Sequence, residues 1–152
     1  MFHTHSFSIL TILLFNTLLI ANTAFAAAPV YTSYFSDVAA SGYDVVSYFT
    51  QQQPMKGTSK YSTAYNGAEW HFSSQENLNL FKSAPKKFAP QYGGYCAWAA
   101  AYNKTAKGDP LQWAIHNDKL YLNYNADIKA KWSADKDQLI KKADLFWPNL
   151  TL

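Results

Sequence analysis

No arginine occurs anywhere in these 152 residues, and cysteine occurs once. All 13 basic residues are lysines, and they are scattered, so the net charge of +3 gathers into no basic stripe. Nucleic-acid grooves draw on arginine forks set in such a stripe, and that class of partner is excluded. The solitary thiol, Cys96, permits no disulfide within the chain. It leaves four readings: a buried apolar filler, a metal ligand, a reactive nucleophile or a link to another chain. Long apolar runs are missing too, apart from SILTILLFNTLLI at residues 8–20, which is too short to span a bilayer. Small residues at Ala24 and Ala26 follow it, a pattern that predicts a signal peptide over 1–26 cut after Ala26. The protein is therefore expected to be exported, periplasmic or secreted, with no stable membrane anchor once the leader is removed. Paired carboxylates, a phosphate loop and a zinc spacing are all absent from the sequence.

What remains is about 126 residues, enough for one domain with a modest core. Aromatic residues make up 17% of the chain, which fits either a core built from rings or a ring-lined pocket. Residues 27–40 have no period and read as a lead-in segment. In GYDVVSYF, residues 42–49, Asp44 is placed to cap a short apolar turn. KYSTAYNGAEWHFSS predicts a β-hairpin, Tyr61–Tyr65 and Glu69–Phe72 around Asn66-Gly67, with Trp70 and Phe72 on one face and His71 on the other. Ser73 and Glu76 have capping-box spacing ahead of Leu78, Leu80 and Phe81, which predicts a helix over 74–84 closed by Pro85. YCAWAAAY predicts a second helix with Cys96 in its first turn, where the helix dipole would favour the thiolate if water reaches it. LQWAIHNDKLYLNYN predicts a second hairpin turning at Asn117-Asp118, with Trp113, Ile115, Leu120, Leu122 and Tyr124 on one face. Ile128, Trp132, Leu139, Ile140, Ala143 and Phe146 recur at helical spacing, with a break at Ser133–Lys136 and an end at Pro148. The expected fold is α+β, a small antiparallel sheet of two β-hairpins packed against several short helices.

WHFSSQENLNLFKSAPKKF, residues 70–88, resembles the YHS domain, through Trp70, His71, Phe72, Phe81, Pro85 and Phe88. GYDVVSYF is similar to that family's opening, and PQYGGYCA, DPLQW, KLYLNYN and ADLFWP resemble an exported branch, so the likeness spans residues 41–149. The resemblance implies a metal-associated small domain, but the branch that binds metal carries cysteines where this chain has Ser47, Ser73 and Asn77. Neutral hydroxyls and amides do not replace thiolates for a soft ion such as copper. Ser73 is in any case expected as a helix cap.

The candidate ligands are Cys96, His71 and His116, with His116 expected to be exposed beside its turn. The ligand-binding candidates are Cys96, His71, Tyr92, Gly93, Gly94 and Tyr95, and the metal candidates are Cys96 and His71. The expected function is a binding module for a transition metal ion or a small ligand near Cys96 and His71. The competing classes are an enzyme with Cys96 as nucleophile and a structural or interaction domain with a buried thiol. At least one of Gly93 and Gly94 is expected at positive φ, turning the chain sharply ahead of Cys96. Asp109, before Pro110, is expected to form a turn.

Overall fold

The computed structural model describes residues 26–151, so all of the expected leader except Ala26 lies outside the described residues. Among the described residues six α-helices and two separate two-stranded antiparallel sheets make an α+β fold. Among the described residues no helix is long and apolar enough to cross a membrane.

The first hairpin, β1 (Thr58–Tyr65) and β2 (Ala68–Phe72), turns at Asn66 and Gly67. Both turn residues have positive φ, +49° and +78°, the backbone that matches the twist of paired strands. Trp70 and Phe72 are buried on one face and His71 lies on the other. The second hairpin, β3 (Asp109–His116) and β4 (Lys119–Asn123), uses the same turn chemistry at Asn117 and Asp118. Its Trp113↔Leu122 and Ile115↔Leu120 pairs join the first hairpin's core. Tyr124 falls beyond the strand and is exposed, against expectation, while Tyr121 is buried on the opposite face with Trp132, Leu139 and Ala143. This hairpin is thus buried on both faces and separates two cores: a larger one of Val45, Val46, Tyr48, Trp70, Phe72 and Phe81, and a smaller one formed with the later helices.

A single helical turn, α1 (Ser47–Thr50), precedes the first hairpin, and α2 (Gln75–Ser83) follows it. The cap of α2 is Ser74, whose hydroxyl accepts from the Asn77 N–H at 3.1 Å. The expected cap, Ser73, is one residue early, because its hydroxyl is drawn instead to Asp44. Pro85 does not simply close α2 but opens another turn, α3 (Pro85–Phe88), where a residue without an N–H costs nothing.

The expected helix over YCAWAAAY is also shorter than predicted. Only α4 (Ala97–Ala100) is helical, and Cys96 is its extended capping residue rather than part of its first turn. The reason is tertiary: the Cys96 N–H donates to the Ala106 carbonyl, and Cys96 bridges to Leu122 of β4. The tail divides at Asp135 into α5 (Ala126–Ala134) and α6 (Lys136–Leu150). Pro148 lies inside α6 and does not end it, since a proline in the last turn forfeits one hydrogen bond; the Leu150 carbonyl accepts instead from the Ala27 N–H at 2.9 Å. Phe146 is exposed, not part of the core stripe.

Residues 27–40 wrap this body. The Tyr31 N–H donates to the Gly93 carbonyl, the Ala39 N–H to the Glu69 carbonyl and the Glu69 N–H to the Asp37 carbonyl, while Val30, Ala39 and Ala40 are buried.

Candidate functional site

Asp44 is fully buried and its carboxylate accepts five hydrogen bonds from two segments. Oδ1 takes the N–H groups of Val46 at 2.9 Å and Ser47 at 3.3 Å, which caps α1 as expected. Oδ2 takes the Ser73 N–H at 2.8 Å, the Ser73 hydroxyl at 2.6 Å and the Asn77 amide at 2.7 Å. The Ser47 hydroxyl turns away to backbone carbonyls, those of Asp44 at 2.7 Å and Gln53 at 2.8 Å. Ser47, Ser73 and Asn77 therefore gather around one carboxylate, whose charge is balanced by oriented dipoles rather than by a cation.

That arrangement decides a question of chemistry. A soft ion at this place would need thiolate or imidazole donors, whereas the side chains here are neutral, hard, and already committed to Asp44 or to backbone carbonyls. The residues do not fit such a metal. Among the described residues no group of three or more His, Cys, Asp and Glu side chains is placed to hold an ion.

His71 and Cys96 face separate cavities. His71 borders an open cavity of about 440 Å³ between the wrapping segment and the first hairpin, with Thr32, Ser33, Ser36, Ser41 and Lys56 around it. Its Nε2 lies 2.7 Å from Oε1 of Glu69, so in the neutral ring Nε2–H donates to the carboxylate and Nδ1 offers a lone pair. Nδ1 is the ring atom that faces Gly42, another residue of the cavity wall. The floor depends on Gly57: a β-carbon there would overlap the backbone of His71 and Phe72, and its N–H donates to the Gly42 carbonyl. Ala40, Ser41 and Gly42 all have positive φ, +48°, +50° and +77°, a left-handed turn that L-residues adopt only when held.

Cys96 is buried beside a cavity of about 300 Å³ whose wall is almost wholly apolar, with Trp98, Ala99, Tyr124 and Ile128. Desolvation pushes the thiol up from its ordinary range, and the nearby backbone N–H groups of Ala99, Tyr124 and Trp98 offset part of that. Its one side-chain partner is Oδ1 of Asn123 at 3.9 Å, an acceptor for S–H and not a base. Asn123 is itself buried, and its Oδ1 also accepts from the Trp98 N–H at 3.3 Å.

The other candidate residues serve the fold around this turn. Tyr92 is buried against Tyr121 and Trp147 and donates to Asp144 Oδ1 at 2.9 Å; Tyr95 packs on Tyr31 and Trp147. Burial raises the phenol of Tyr92, and the Asp144 carboxylate raises it further. Gly93 and Gly94 both take positive φ, +58° and +83°, as expected, and Tyr92 joins them at +55°. A β-carbon on Gly93 would overlap the Pro29 carbonyl, so that glycine is fixed by the wrapping segment. His116 is half-buried rather than exposed, because Asp137 of α6 approaches its Nε2 to 2.7 Å. Asp109 opens β3 opposite Asn123 rather than forming the expected turn, because its place is set by pairing with β4, and its carboxylate accepts from the Leu111 N–H at 2.9 Å.

The YHS domain family matches residues 46–92. These residues are a YHS domain. The match covers α1 through the Tyr92 turn, less than half of the chain, and holds Ser47, Ser73, Asn77 and His71 but not Cys96. Comparison with curated proteins and with solved structures returned no match. The second hairpin, Cys96 and the later helices lie outside the YHS segment.

The sequence pointed to His71 but not to Lys56 or to the hydroxyls of Thr32, Ser33, Ser36 and Ser41. Their only signal was the cluster of small hydroxyl residues in YTSYFSD and SG, which has no period and acquires meaning when the segment folds back on β2.

Proposed function

We propose that this chain is a small exported binding module of the YHS type whose ligand site is the cavity at His71. The carrying observation is the Glu69–His71 pair at 2.7 Å, which fixes one ring nitrogen and leaves the other toward a polar cavity of about 440 Å³. Pockets of this size hold fragment-sized molecules, and a few convergent polar groups set their orientation. The strained turn at Ala40–Gly42 supports the same place, since such backbone persists where surrounding structure holds it for a purpose.

Metal binding through Cys96 and His71 receives less support, because each is a lone soft donor at its own cavity. Catalysis by Cys96 is likewise weakly supported: the thiol is buried, raised by desolvation, and beside an amide rather than a base. A structural role for that thiol is the reading its burial favours.

A fragment mixture followed by ¹H–¹⁵N NMR tests the site. Hits should displace the resonances of Gly42, Gly57 and His71. Displacements confined to Trp98, Tyr124 and Cys96 would move the function to the apolar cavity, and Cu(I) bound tightly by a Cys96→Ser, His71→Ala variant would refute both placements.

A further inference from the structure

We propose that the His71 cavity takes a small organic oxyanion, with its charged group at Lys56 and the surrounding hydroxyls and its apolar part toward Tyr34 and Phe35. The inference deepens the reading of this cavity as the ligand site and rests on it.

The charge of the wall comes first. Its ionisable members are Lys56, His71 and the Tyr31 phenol, and no carboxylate is among them. Glu69, beside the cavity, is engaged with the far nitrogen of His71. The Lys56 ammonium donates to the Ser41 carbonyl at 3.0 Å and lies 4.0 Å above the Tyr43 ring. An ammonium has three N–H donors, so these contacts hold it at the rim without exhausting it. The hydroxyls of Thr32, Ser33, Ser36 and Ser41 can each turn a proton toward an anion. One fixed positive charge and a ring of hydroxyls match a singly charged acid group better than a neutral or cationic one.

The apolar half is set by the rim. Tyr34 and Phe35 are 93% and 94% exposed, the two most exposed large hydrophobic side chains among the described residues, and their rings pack edge to face at 4.8 Å. They form the tip of a turn closed by the Ser36 N–H on the Ser33 carbonyl at 3.1 Å. Both residues closing the turn line the cavity, so the turn that carries the two rings borders it. Two adjacent rings left in water offer a face for stacking to whatever occupies that mouth.

Titrations of the purified chain with benzoate, phenyl phosphate, benzyl alcohol and inorganic phosphate, read at His71, Gly42 and Gly57 by NMR, test this. Benzoate or phenyl phosphate should bind at least about tenfold more tightly than benzyl alcohol, which has the ring without the charge, and the tighter of the two identifies the acid group. Lys56→Met should weaken that binding about tenfold while leaving the thermal melt in place, because Lys56 is exposed. A Tyr34→Ala, Phe35→Ala variant should weaken benzoate severalfold and leave inorganic phosphate unchanged. Benzyl alcohol binding as tightly as benzoate at these resonances would overturn the oxyanion and spare the cavity. Inorganic phosphate binding as tightly as the organic acids would overturn the apolar half. If no probe, in this panel or the fragment mixture, moves the three residues, the cavity itself is not the site.

Discussion

At the residue scale the decisive group is Asp44, a buried carboxylate answered by five N–H and O–H donors. It ties α1 to the start of α2, so the segments around it are joined through one side chain. Asp44→Asn keeps the shape but turns an NH₂ group toward donors, leaving buried groups facing each other without an acceptor. That change should cost about 3 kcal/mol or more in urea denaturation, a loss in the range expected for breaking a buried charged network. A variant within 1 kcal/mol of the parent, roughly the cost of one ordinary hydrogen bond, would show the network to be dispensable. Cys96 behaves differently. Its burial and raised thiol predict slow reaction of the native protein with a disulfide reagent near neutral pH and rapid reaction once urea unfolds it. Cys96→Ala should cost only about 1 kcal/mol, since it deletes one buried atom beside an existing cavity. A native thiol that reacts at the unfolded rate would contradict the burial.

At the element scale, adjacent serines at the head of α2 have been given separate tasks. Ser74 caps the helix and Ser73 serves Asp44. Ser74→Ala should lose about 1 kcal/mol, the usual worth of a capping hydroxyl. Ser73→Ala removes a hydrogen bond to a buried charge, so it should lose more, about 2 kcal/mol. Equilibrium unfolding of the two variants orders them directly, and the reverse order would restore Ser73 as the cap. The spacing of Ser73 and Glu76 could not separate these outcomes. Either serine suits a helix start, and only the position of Asp44, 29 residues earlier, selects between them.

At the scale of the whole molecule, several buried acids share one direction. Desolvation raises the thiol of Cys96 and the phenols of Tyr48, Tyr92, Tyr95 and Tyr121, the last to about 12. In the unfolded chain these protons leave near their ordinary values, about 8.5 for the thiol and about 10 for the phenols. Above those values the unfolded state holds fewer protons and gains stability relative to the folded one. The contribution is thus whole below about pH 8 and is lost as pH rises toward 12. Urea midpoints should fall steadily over that range, and Tyr48→Phe, which loses the hydrogen bond to the Pro110 carbonyl, should flatten the fall. A midpoint that does not move between neutral pH and about pH 11 would contradict the burial of these rings. The same scale holds the chain's start. If export cuts after Ala26, the new amino terminus is Ala27, whose nitrogen already meets the Leu150 carbonyl at the end of α6. Mass spectrometry of exported protein should find Ala27 first, and a mature product that retains Met1 would refute the cut.

The sequence by itself determined the elements governed by neighbours in the chain. Asn66-Gly67 and Asn117-Asp118 demand tight turns, strand alternation puts Trp70 and Phe72 opposite His71, and Asp44 reaches N–H groups two and three residues away. These effects act over a few residues, so their signal survives in a linear pattern. Tertiary structure decided what depends on distant partners. It shortened the Cys96 helix to one turn by binding Cys96 to Ala106 and Leu122, buried Tyr121 as well as Leu120, and kept α6 running through Pro148. It also set His71 and Cys96 at separate cavities and brought the hydroxyls of the wrapping segment to His71. No period or motif encodes those meetings, because each is the closure of a long loop whose ends are chosen by the packing of the two cores between them.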